Sequence, residues 1–93
     1  MNFLELFNGV AKIARPVHVS HKPVTDKDLN LTEYGLDSLD KLMICIYMCE
    51  LYGIPEETGK SMSADTVQII EDFVQIHKTQ EPATVSEALE SIQ

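Results

Sequence analysis

Fifteen residues, Ser38 to Tyr52, lie between an acidic residue suited to starting a helix and a glycine suited to ending one, and this segment limits the folds open to the chain. The carboxylate of Asp37 can accept from the unpaired N–H groups of a first helical turn, so Asp37 reads as an N-cap. Gly53 readily takes the left-handed conformation that closes a helix. Between them, Leu42 to Cys49 is an uninterrupted run of apolar residues. At about 100° per residue, Ile44, Cys45, Met48, Leu51 and Tyr52 form one apolar arc, and Leu39, Leu42, Met43, Ile46 and Cys49 form another on the opposite side. A helix in a small bundle ordinarily buries one stripe. The second arc is then either core, because a central helix touches several neighbours, or a docking strip. The run is far short of the roughly 18 apolar residues that a membrane span needs.

The rest of the chain supplies helices for this one to pack against. Phe3, Leu4, Leu6, Phe7, Val10, Ala11, Ile13 and Ala14 repeat with helical spacing, and Pro16 should stop that helix by driving the preceding residue out of the α region. Residues 15–37 form a long loop. In it Thr25-Asp26-Lys27-Asp28 resembles the cap of a single helical turn, and Val24, Leu29, Leu31 and Tyr34 are apolar anchors. Ile54-Pro55-Glu56-Glu57 predicts a short helix that Gly59 limits to about one turn. Ser63 or Asp65 can cap a further helix in which Val67, Ile69, Ile70, Phe73, Val74 and Ile76 supply apolar contacts, ending near His77-Lys78. After Thr79-Gln80-Glu81-Pro82, Thr84-Val85-Ser86-Glu87 reads as a capping box, and Val85, Ala88, Leu89 and Ile92 fall on one face, so residues 84–92 predict a fifth, short helix. The expectation is an all-α fold, with one helical domain over residues 1–78 and a C-terminal extension over 79–93; a chain of 93 residues cannot bury a second core.

The net charge of −8 is unevenly placed. Residues 1–36 balance, whereas residues 37–93 carry eleven acids against Lys41, Lys60 and Lys78. Such a chain repels nucleic-acid phosphates and anionic membranes and attracts basic protein surfaces. The stretch Met1-Asn2-Phe3-Leu4-Glu5-Leu6-Phe7 has no basic region and carries Glu5 among its apolar residues, which argues against a secretory signal; a soluble, cytoplasmic monomer is expected. Cys45 and Cys49 stand four apart on one helix, where a disulfide needs backbone distortion, so two buried thiols are expected. His18 and His21 have a spacing that can hold a metal in a loop, but no further ligands stand nearby, and no metal site is assigned. No phosphate-binding glycine loop, catalytic triad or paired-carboxylate motif is present. Ser38 has no base at a recognisable spacing, which argues against catalysis by this chain.

What Ser38 does have is context. It falls on the first turn of the long helix, exposed beside the positive end of the helix dipole, where a phosphate is stabilised. Gly35-Leu36-Asp37-Ser38-Leu39-Asp40 heads the apolar helix, Gly53-Ile54-Pro55-Glu56 follows it, and Thr66-Val67-Gln68 opens the next. In order and spacing this resembles the acyl carrier protein family over roughly residues 2–78, most closely at 35–40. Thr84-Val85 echoes Thr66-Val67, but the spacing from Ser38 favours Thr66.

The resemblance implies a four-helix bundle with a long loop after the first helix and a short third helix. It implies that Ser38 is esterified with 4'-phosphopantetheine from coenzyme A. A phosphopantetheinyl transferase supplies the Mg²⁺ and the base, and acyl-loading, condensing or acyl-transfer enzymes then use the thiol. Asp37 and Asp40 would recognise basic partner surfaces, while Leu39, Leu42, Met43 and Ile46 would pack around the attachment point or the partner. The sequence departs from the family in two ways. Met43, Cys49 and Leu51 stand where glutamates are common, and Lys41 adds a positive charge one turn from Ser38. These departures favour a specialised lipid, polyketide or secondary-metabolite pathway over housekeeping fatty-acid synthesis. The competing reading is an unmodified helical interaction module in which Ser38 is a cap or a phosphorylation site.

Overall fold

The computed structural model describes residues 2–15 and 22–93, and every described element is helical. Pro16, expected to stop the first helix, and His18 and His21, considered as a metal pair, lie outside the described residues. α1 (Phe3–Ala14) begins at Asn2, whose side chain accepts from the Glu5 amide at 3.1 Å. It buries Phe3, Leu6, Phe7, Val10 and Ala11 along one face. Arg15 is already extended, as a residue before proline must be.

The long loop is fastened by polar contacts that hydropathy does not reveal. Asn8 of α1 clamps Val24 through both main-chain groups, donating to its carbonyl at 2.9 Å and accepting from its amide at 2.7 Å. The Tyr34 hydroxyl accepts from the amides of Thr25 and Asp26. These amides are therefore satisfied without a helix, and the helical turn expected at Thr25–Asp28 is reduced to a hydrogen-bonded turn in which the Leu29 amide donates to Asp26 O at 3.3 Å. A 3-10 turn runs instead over Leu31–Tyr34, started by Asn30 and closed by Gly35 at φ 82°. Val24, Leu31, Tyr34 and also Leu36 are buried anchors, but Leu29 is exposed, contrary to its expected anchoring role. Lys27 ties the loop to the next-to-last helix through Glu71.

α2 (Ser38–Tyr52) has the boundaries its caps predict, ending at Gly53 with φ 63°. Ile44, Met48, Leu51 and Tyr52 of the first arc are buried. α3 (Glu56–Gly59) is a single turn entered through Pro55. It lies so close to α2 that a Cβ on Gly59 would stand 2.6 Å from the Cys49 sulfur. α4 (Val67–His77) is capped by Thr66 rather than by Ser63 or Asp65, and it buries Val67, Ile70 and Val74. Ile69 and Ile76, expected to pack inward, are exposed.

α5 (Val85–Ile92), capped by Thr84, buries Ala88 and rests Val85, Leu89 and Ile92 on the core. Its approach to α1 depends on Gly9, where a Cβ would meet Leu89 at 2.5 Å. The linker before it also closes α2. Thr79 and Gln80 both donate main-chain amides to the Tyr52 carbonyl, the Thr79 hydroxyl donates to Gly53 O at 2.6 Å, and the Gln80 side chain reaches Leu51 O at 3.3 Å. Carbonyls that a helix end leaves unpaired are thereby satisfied. No helix among the described residues is long and apolar enough to cross a membrane.

Candidate functional site

The start of α2 is built by a reciprocal capping box. Asp37 Oδ1 accepts from the Asp40 amide at 2.9 Å, and Asp40 Oδ2 accepts from the Asp37 amide at 3.1 Å. Helix geometry leaves the amides of Ser38 and Leu39 without intrahelical acceptors, so both point out of the helix end. Ser38 is exposed there, and among the described residues its hydroxyl makes no hydrogen bond. Asp37 is exposed beside it.

Asp40 does not join them. The sequence reading set it among partner-facing acids, but only 8% of it is exposed. Besides capping, its carboxylate stands 3.8 Å from Arg15 Nε, an ion pair too long for a hydrogen bond. The guanidinium also donates to Gly35 O at 3.5 Å, while Nε itself is buried without a hydrogen-bond partner. Arg15 therefore ties the end of α1 to the first turn of α2. Twenty-five residues separate it from Asp40, so no local spacing in the sequence signals the pair.

The second arc of α2 divides. Leu39, Leu42 and Ile46 are 65%, 55% and 48% exposed and form an outward strip at i, i+3 and i+7. Met43 is only half-exposed, in a cavity of about 360 Å³ shared with Ala14, Arg15 and Leu39, so it belongs partly to the α1–α2 junction and not fully to the strip. Cys49 is half-covered by Gly59. Beside the strip, between α2 and α3, runs a mainly apolar groove of about 460 Å³ lined by Leu42, Cys45, Ile46, Cys49 and Ile54. It adjoins a second groove of about 400 Å³ in which Ser38, Lys41, Leu42, Cys45 and Lys60 meet. No family model matches the chain, and no curated protein and no solved structure matches it.

Charge around the serine is mixed. Lys60 pairs with Glu57 at 3.4 Å, whereas the half-buried Lys41 donates to the Thr32 hydroxyl at 3.0 Å. The thiols are free and half-buried rather than fully buried as expected. Burial pushes Cys45 up to about 11, with a smaller contribution from the neighbouring Cys49 thiol, and burial raises Cys49 too. Neither has the lowered pKa of a reactive thiolate at neutral pH. No group of three His, Cys, Asp or Glu side chains among the described residues is arranged to hold a metal ion.

Proposed function

We propose that this chain is an acyl carrier protein, carrying acyl groups as thioesters on a 4'-phosphopantetheine arm attached to Ser38. The observation that carries this reading is an exposed serine hydroxyl, unbonded among the described residues, on the first turn of α2, at the head of the Leu39–Leu42–Ile46 strip and opening into the groove it shares with Lys41 and Lys60. The site suits the group: the hydroxyl is accessible to a transferase, and the free amides of the first turn favour a phosphate there. The arm supplies the thiol that bears the cargo. On this reading α1 to α4 are the acyl-carrier bundle, the long loop included, and α5 is an added element.

The chain acts as substrate and shuttle, and the chemistry belongs to its partners. These are a phosphopantetheinyl transferase and acyl-loading, condensing or acyl-transfer enzymes. Asp37 and the exposed acids beyond Asp40 draw basic partner surfaces, while Leu39, Leu42 and Ile46 supply the apolar contact. Met43, Cys49 and Leu51 in place of glutamates support a specialised pathway. The decisive measurement is intact mass after incubation with coenzyme A and a promiscuous transferase. Wild type should gain one phosphopantetheine adduct and Ser38→Ala none. No adduct with several transferases would leave an unmodified interaction module, for which the same strip would be the docking face.

A further inference from the structure

The cations of residues 37–93 are not equivalent. Lys60 pairs with Glu57, and Lys78 pairs with Glu81 at 3.3 Å. Lys41 stands in the same acid-rich segment and makes no ion pair among the described residues; its ammonium donates to the neutral Thr32 hydroxyl at 3.0 Å. The two acids at the start of α2 have other partners, since Asp37 accepts from the Asp40 amide and Asp40 faces Arg15. Asp65, which lines the groove from the α4 side, accepts from the Ser63 hydroxyl at 3.0 Å. Lys41 is half-buried along its stem, while its ammonium and the Thr32 hydroxyl it reaches stay open to solvent.

Position gives this unpaired charge a target. Residues three apart on a helix share a face, and side chains lean toward the helix N-terminus, so the Lys41 side chain lies on the face of the turn that holds Ser38. Both residues line the same groove of about 400 Å³, together with Lys60 on the opposite wall. We propose that Lys41 is the counter-cation of a phosphate ester on Ser38. This deepens the reading of Ser38 as a modified residue and rests on it.

A phosphate on Oγ presents unesterified oxygens to an ammonium that Thr32 already holds in place, and the two form a charge-assisted hydrogen bond. The contact fixes the direction of whatever the phosphate carries. Held toward Lys41, the substituent enters the groove past Leu42 and Cys45. A phosphodiester from the arm and a phosphomonoester from a kinase share this chemistry.

Two arms of one experiment separate these sources. In the first, phosphoserine is installed at position 38 of the full chain and its second ionisation, ordinarily near 6, is followed by ³¹P NMR. With wild-type Lys41 the ionisation should fall at least about half a unit below that of Lys41→Met, the screened end of what a nearby opposite charge does. Lys41→Arg should restore most of the shift, and circular dichroism checks that each variant is folded. Equal ionisation in wild type and Lys41→Met overturns the role of Lys41.

In the second arm, a transferase loads Ser38 from coenzyme A, and the ³¹P resonance of the diester is compared in wild type and Lys41→Met. An adduct whose resonance is unaffected by Lys41→Met, with equal ionisations in the first arm, sinks the Lys41 contact and leaves the carrier reading standing. A lowered phosphoserine ionisation with no adduct from any transferase supports the Lys41 contact and overturns the carrier reading, making the ligand a phosphomonoester.

Discussion

Replacing Asp40 by Ala tests whether this acid serves the fold or a partner. The substitution removes a charged acceptor from the Asp37 amide, a hydrogen bond worth about 1.5–3 kcal/mol. It also strands a guanidinium whose side chain is 11% exposed and whose nearest carboxylate stood 3.8 Å away. Losing one member of a well-buried pair costs about 3–5 kcal/mol, but this pair is long and the Gly35 carbonyl remains, so about 1 kcal/mol is reasonable. The sum is about 2.5–4 kcal/mol, which for a domain of this size lowers the thermal midpoint by about 10–30 °C. Asp40→Asn keeps an acceptor without the charge and should lose about half as much. Combined with Arg15→Met, Asp40→Asn should be less destabilising than the two single effects added, by about 1 kcal/mol. Urea and thermal melts followed by circular dichroism measure wild type and the four variants. If Asp40→Ala stays within about 0.5 kcal/mol of wild type, the range of an ordinary surface substitution, the capping and pairing argument is wrong.

Two further outcomes are expected. Gly9→Val should push Leu89 away and undock α5, lowering the midpoint by about 4–8 °C for each kcal/mol of lost packing, while in a chain lacking residues 84–93 the same substitution should have little effect; an equal loss in both chains, by calorimetry, would place the strain elsewhere. Cys45 should alkylate slowly with iodoacetamide until the pH approaches about 11; because its thiol ionises near 9.0 when unfolded, the unfolded chain releases that proton first, and stability should fall as pH rises from 9 through about 11, a decline that Cys45→Ala flattens.

Where the sequence was legible, the signal was local. The caps of α2 are one residue beyond each end, and the structure has both, Asp37 and Gly53. α5 begins where Thr84 predicts it. What could not be read were roles set by distant chain. Asp40 has the composition of a surface acid, and only Arg15, brought from the end of α1, turns it inward. Thr25–Asp28 has the residues of a helix start. Its amides are taken by Tyr34 from one side and by the Asp26 carboxylate, which accepts from the Asp28 amide at 2.9 Å, from the other. Ile69 and Ile76 fit a helical pattern, yet α4 buries only the narrower stripe of Val67, Ile70 and Val74. The exposed serine was legible from its position on the first turn, whereas the Thr32–Lys41 contact, made across two elements, was not.

The two arcs of α2 have different physical ends. α1, α3, α4 and α5 all pack against this helix, and together they cover the arc of Ile44, Met48, Leu51 and Tyr52. Leu39, Leu42 and Ile46 remain outside although the bundle already surrounds the helix on its other sides. Each is still partly covered, so docking could bury only about half of a side chain's full value of about 1.5–3 kcal/mol, or about 2–4.5 kcal/mol for the three. That at best matches the low end of the loss of about 4–15 kcal/mol in translational and rotational freedom on association. The strip therefore cannot hold a partner by itself; it needs the long-range attraction of the acids from Asp37 onward to bring a basic surface in. Short residence is what the proposed carrier role requires, since each enzyme must release the chain before the next can reach the same serine.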